Sequence, residues 1–148
     1  MYGPPLLVRR MIINMKCKLF RKDEKLIQRG DTVDHIYFLH FGCAHLYGYL
    51  ERPGQDTIRF KVMTLKKGSW FGDYNIMLNL PSNWDLVGGG DNERSNKKKP
   101  IGLPLDNIMV YTLEASFLRD ILNEYPTFRA FIVNRSVLRK QYFLKTFE

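Results

Sequence analysis

Apolar residues at Leu7, Val8, Met11, Ile12 and Met15 follow helical spacing behind a Pro4-Pro5 start, which predicts a leading helix over 6–15. The period then shortens. Lys18-Leu19-Phe20, Lys25-Leu26-Ile27, His35 to Leu39, Cys43 to Leu50, Thr57 to Val62 and Ile108 to Leu113 are short runs rich in aromatic and β-branched residues, and each predicts a strand. Gly30-Asp31, Phe41-Gly42, Arg52-Pro53-Gly54 and Lys67-Gly68 supply turns between them. Strands returning every 8 to 12 residues or so point to a small antiparallel roll or sandwich rather than a parallel sheet. Helical spacing resumes at Phe117, Leu118, Ile121 and Leu122. Pro126 then opens a last helix whose apolar face, from Phe128 to Phe147, is expected to pack on the roll or meet a partner.

One stretch fits neither period. Residues 88–107 carry Gly88-Gly89-Gly90 and Lys97-Lys98-Lys99 with little apolar content between them, and a flexible insertion is expected there. The whole chain thus reads as one α+β domain. An antiparallel β-roll over 18–113, of double-stranded β-helix or jelly-roll type, lies between a leading helix and C-terminal helices over 114–147.

Composition narrows the class. With 148 residues, 45% hydrophobic and 26% charged, the chain can bury a core. No apolar run reaches the roughly 18–20 residues that a membrane-spanning helix needs; the longest, Phe38 to Leu50, contains two His and two Gly. Pro4, Pro5, Arg9 and Arg10 argue against a secretory signal. Cys17 and Cys43 sit in apolar surroundings without a metal or disulfide framework, and both read as core thiols of a reducing compartment. The net charge of +8 is concentrated at the two ends, while residues 30–87 are close to neutral. Basic residues are not interleaved with aromatics along one surface, so no nucleic-acid partner is expected. Solvated helix faces, or ends lying near an anionic leaflet, account for the excess.

The segment Gly68 to Ser82 carries the candidate chemistry. Gly72 permits a close backbone approach or a positive φ, and the residues after it compose one short helical turn stopped by Pro81. Such a turn aims backbone N–H groups at one point, and Asp73 in its first turn can accept a hydroxyl hydrogen bond.

In its setting this segment resembles the cyclic nucleotide-binding domain family, over about Leu6 to Phe147. The resemblance rests on Gly30-Asp31 with Tyr37-Phe38, on Gly42, on Gly68 followed by Phe71-Gly72-Asp73, and on Tyr111-Thr112-Leu113 with Phe117. Phe71-Gly72-Asp73-Tyr74 with Ser82-Asn83 looks most like the domains of ciliate-type voltage-gated potassium channels. The resemblance implies a non-enzymatic regulatory β-roll that takes cAMP or cGMP, without metal, in a cassette over 68–83. Phe71, Gly72, Asp73, Tyr74, Asn75, Ser82 and Asn83 would form the site, and the last helix would close over the base. It further implies a cytosolic regulatory domain of an ion channel, on the cytoplasmic side of a membrane. Its partners would be the rest of the channel chain and the other subunits.

Three positions depart from the family pattern. Asp73 stands where a glutamate holds the ribose, one methylene shorter; Ser82 stands where an arginine neutralises the phosphate; Asn83 follows it. Losing a charge-assisted phosphate contact costs about 1.5–3 kcal/mol, roughly tenfold to a hundredfold in affinity. Arg94 or Lys97 to Lys99 are the candidate substitutes, at the entropic cost of ordering the insertion. The alternatives are therefore a degenerate interaction platform whose pocket is empty or filled by its own side chain, and a regulatory domain of a cyclic nucleotide-dependent kinase. Trp84 and Tyr74 read as pocket-wall residues, with base stacking by Trp84 the rival reading. His35, His40 and His45 raise a cupin-type metal enzyme, but no His-x-His pair or carboxylate at ligand spacing accompanies them.

Overall fold

The structure is a computed structural model that describes residues 5–90 and 107–145. Helix α1 (Pro5–Ile13) leads into β1 (Lys16–Arg21), β2 (Lys25–Ile27), β3 (His35–Phe41), β4 (Cys43–Leu50), β5 (Ile58–Leu65) and β6 (Trp70–Phe71). The short helix α2 (Asp73–Met77) follows, then β7 (Asp85–Gly90), β8 (Asn107–Glu114), α3 (Ala115–Asn123) and α4 (Pro126–Lys145). The strands form two four-stranded sheets, ordered β1-β8-β3-β6 and β2-β7-β4-β5, with every pairing antiparallel. The α+β β-roll with flanking helices expected from the strand spacing is the observed architecture.

Alternation along the strands decides what lies inside. On β4, Ala44, Leu46 and Gly48 are buried while His45, Tyr47 and Tyr49 stay partly exposed, a period of two. Leu46 and Leu86 of one sheet join Ile36, Leu39, Ile108, Val110 and Phe71 of the other in one core, each buried side chain contributing about 1.5–3 kcal/mol. The roll packs so fully that the void between Leu39, Ala44, Leu65, Phe71 and Leu86 holds only about 10 Å³.

Helix α1 buries Leu7 and Met11 alone, and it ends at Ile13 rather than at residue 15. Ile12, part of the predicted face, is 59% exposed, because the helix meets the core along a single narrow i, i+4 stripe. Cys43 is buried but Cys17 is exposed, so the expected pair of core thiols holds only for Cys43; β1 is an edge strand with little covering it.

Two strands were not legible. Trp70-Phe71 is a two-residue strand held on β3, too short to show a period. β7 runs on through Gly88 to Gly90, where a flexible insertion was expected. A Cβ on Gly88 would collide with the carbonyl oxygen of Arg21, and one on Gly89 would lie 2.6 Å from the Cys43 sulfur. The glycines are there because neighbouring chain passes too close for side chains. The remainder of the expected insertion, with Arg94 and Lys97 to Lys99, lies outside the described residues.

Candidate functional site

The segment between β6 and β7 is built around Gly72, whose φ of 109° suits glycine alone. A Cβ there would lie 2.8 Å from the carbonyl oxygen of His35, so β3 and the start of α2 can approach only across a glycine. Helix α2 is a single turn closed by Ile76 N–H to Gly72 O at 3.1 Å and Leu78 N–H to Tyr74 O at 2.9 Å. Asp73, Tyr74, Asn75 and Ile76 are all buried, so this turn is a wedge between the roll and the C-terminal helices.

Asp73, Tyr74, Asn75 and Ser82 each have a definite partner. Asp73 accepts from the Arg139 guanidinium of α4 and from the Ser136 hydroxyl at 3.4 Å. Arg139 also donates to the Trp70 carbonyl at 3.0 Å, and its guanidinium lies 4.6 Å from the centre of the Trp70 ring. Arg119 of α3 donates to the Ile76 carbonyl at 3.2 Å, so both C-terminal helices hold α2. Asn75 donates to the carbonyls of Leu80 and Pro81 at 3.3 and 3.0 Å, while its Oδ1, buried, has no hydrogen-bond partner among the described residues. Tyr74 accepts from the Trp84 indole at 2.7 Å, and burial raises the pKa of its hydroxyl. Both side chains belong to the core, which makes Trp84 the wall residue expected and not an exposed stacking platform.

Ser82, at the expected arginine position, is 2% exposed and faces its own backbone. Its hydroxyl donates to the Trp84 carbonyl at 2.7 Å and accepts from the Trp84 N–H at 3.1 Å. Its N–H donates to the Asp31 carbonyl, and its carbonyl accepts from Gly30 N–H, at 3.0 and 2.8 Å. The Gly30-Asp31 turn and the end of the cassette, distant in sequence, are thereby laced together. Asn83 is exposed. Phe71 is buried with its ring edge-on to Tyr74, and the two centres are 6.5 Å apart.

The sequence reading missed Arg139, Ser136 and Arg119. One signal for the first two was present, since Ser136 and Arg139 continue the Phe128, Ile132 stripe at helical spacing, a polar pair on a buried face. It also missed Asp85, which is fully buried and gathers the Arg29 N–H at 2.8 Å, the Tyr49 hydroxyl and, at 3.7 and 3.4 Å, the Lys25 and Arg59 cations. Burial by itself would push this carboxyl up, but those hydrogen bonds and charges together hold it below the ordinary aspartate range. Among the described residues, no group of three or more His, Cys, Asp or Glu could hold a metal ion.

A family model, the cyclic nucleotide-binding domain, matches residues 17–88, the span from β1 to the glycines of β7. Residues 17–88 belong to this family. The cyclic nucleotide-binding domain is a regulatory family, not a catalytic one. A cAMP-dependent protein kinase regulatory subunit of Aspergillus fumigatus is 38% identical over 64 residues, covering 40% of this chain and 15% of that protein. The fold is shared with the regulatory domain of Toxoplasma gondii PKA, solved with cAMP, at TM-score 0.62 and 14% identity, covering 93% of this chain and 42% of that one. It is shared also with the catabolite activator protein of Thermus thermophilus, at TM-score 0.64 and 13% identity, covering 96% and 57%. The chain therefore spans only a minor part of its kinase relatives.

These relatives correct two expectations. The narrower resemblance to domains of ciliate-type potassium channels has no support, because the curated relative is a kinase regulatory subunit. The expected place on the cytoplasmic side of a membrane, as part of a membrane protein, is overturned by the same relatives. No helix among the described residues is long and apolar enough to cross a membrane. The basic ends that suggested an anionic leaflet are accounted for in part by pairing within the chain, as with Arg10 on Glu124 at 2.6 Å and Arg139 on Asp73.

Proposed function

We propose that this chain is the nucleotide-responsive module of a cyclic nucleotide-dependent kinase regulatory subunit. The observation that carries the reading is the tie between Asp73, first residue of the cassette helix, and Arg139 of α4. A ligand reaching the cassette must act on the residue that holds the last helix. Any change in the hold on Asp73 then biases the position of α4, and the bias equals the ligand's differential affinity for the two positions. Gly72, Asp73 and Asn83 are the residues that would first meet cAMP or cGMP, whereas Asn75 and Ser82 are almost fully buried and would contact it only if the cassette opened. The likeness to the Aspergillus fumigatus subunit supports the kinase setting, in which the partner is the kinase chain being regulated.

A second reading is favoured by one specific observation. Ser82 is buried and bonded to the backbone of Trp84, so the position that would supply the phosphate cation supplies none. On that reading the roll is a platform that works without nucleotide.

Thermal unfolding with and without millimolar cAMP or cGMP separates the two. A ligand at a hundred times its dissociation constant stabilises by about 2.7 kcal/mol, which at this size raises the midpoint by roughly 5–10 °C. A saturable shift with one nucleotide supports the sensor and names its ligand. A well-folded sample that responds to neither supports the platform.

A further inference from the structure

Between α4 and the outer face of the first sheet lies a cleft of about 460 Å³, which shares only Trp70 and Asp73 with the cassette. Its volume lies in the usual range of small-molecule sites, roughly 300–1,000 Å³. The walls come from α1, β3, β6, the first residue of α2, α3 and α4, and they are apolar for most of their area, with Ile36, Phe38, Leu118, Leu122 and Ile132 among them. Water inside so apolar a space finds few hydrogen-bond partners, which favours an apolar occupant.

The polar end has a distinctive charge pattern. Asp73 and Arg139 stand on its wall but already neutralise each other, and Ser136 donates to Asp73. Arg135, one helical turn before Arg139, lines the same cleft. Among the described residues its guanidinium contacts only the Phe131 ring, 5.4 Å from the centre, and no carboxylate. Five N–H donors are thus presented at the mouth of an apolar cleft without an anion to receive them. One guanidinium, the one cation in this wall not already paired with a carboxylate among the described residues, matches one carboxylate.

We propose that this cleft binds a small amphipathic carboxylate, its apolar body against Phe38, Leu118, Leu122 and Ile132 and its carboxylate on Arg135. The site lies on the helical side of the sheet and uses neither Gly72, Asn75 nor Ser82. It does not rest on nucleotide binding at the cassette. Because α4 forms one wall, occupancy would brace that helix against α3 and β3.

Decanoate and decanol, one charged and one neutral with the same chain, are suitable probes for the whole chain in calorimetric titration. Trp70, 43% exposed at the cleft wall, gives a fluorescence reading of the same event, whereas Trp84 is buried in the roll. The expected result is saturable one-to-one binding of decanoate. Arg135→Gln should weaken it at least tenfold while leaving decanol binding within twofold. Ile132→Trp, which fills the cleft, should abolish both. Arg135 is exposed, so its substitution leaves the fold intact, as the unfolding midpoint will verify. Absence of saturable decanoate binding to the unaltered chain, or equal affinity in Arg135→Gln, overturns the proposal.

Discussion

Asp73 and Arg139 stand 66 residues apart in the chain and meet as an ion pair between the cassette helix α2 and the last helix α4. The side chains are only 12% and 24% exposed, so water screens this pair far less than it screens Lys16 and Glu114, which are more than half exposed. The Ser136 hydroxyl and the Trp70 ring and carbonyl complete the arrangement. This cluster joins the segment where a ligand would arrive to the element that would report it.

Removing the cation should release that element. Arg139→Gln leaves the Asp73 carboxylate buried with only Ser136, at a cost of about 1–3 kcal/mol in denaturant unfolding. Amide hydrogen exchange should quicken along α4 and α2 and stay unchanged in β3, β4 and β8. Uniform quickening would mean that the pair serves global stability only.

Ser82→Arg should raise cyclic nucleotide affinity by roughly tenfold to a hundredfold, the worth of one charge-assisted phosphate contact. Calorimetric titration with cAMP and cGMP reads the gain. A folded variant with no gain would mean that the bonds of Ser82 to Trp84 and Asp31 reflect a cassette closed to nucleotide.

Trp84 and Tyr74 join the cassette helix to the start of β7 through one buried hydrogen bond. Trp84→Phe leaves the Tyr74 hydroxyl buried without its donor, and about 1–3 kcal/mol of stability should be lost. Tyr74→Phe in the same background should restore part of it, since both partners are then apolar. A double-mutant cycle on urea midpoints measures the coupling.

The acid response should run through Asp85. Its folded pKa lies below the ordinary value of 3.8, so its contribution is present above about pH 4 and is lost as pH falls through the folded value. Asp85→Asn should therefore lower stability at neutral pH and flatten the fall in stability below pH 4. An unfolding midpoint followed from pH 7 to pH 2 in both proteins tests this, and parallel curves would assign the acid response to other carboxyls.

Much of this molecule is written in short-range pattern. The period of two from Ala44 to Tyr49 depends on which side of one strand each residue faces, and neighbours in sequence decide that. The proline at 126 opens a helix because its own ring sets φ, and Gly72 marks a tight approach because no other residue tolerates its backbone. Those signals were enough for the roll, the cassette and the family resemblance.

Other features depend on what arrives from elsewhere in the chain. Gly88 and Gly89 have the composition of a loop and become strand only because Arg21 and Cys43 pass beside them. Ser82 is a small polar residue whose role is set by Asp31 and Trp84 folding onto it. Arg139 and Arg135 are one helical turn apart and alike in sequence, yet one is neutralised by a carboxylate from α2 and the other faces an apolar cleft. Local sequence determined where strands, turns and the cassette fall, because backbone preference and alternation act over a few residues. Which charges pair, which glycines are needed and where a cavity opens were decided by tertiary structure, because those depend on distances between segments that no local pattern encodes.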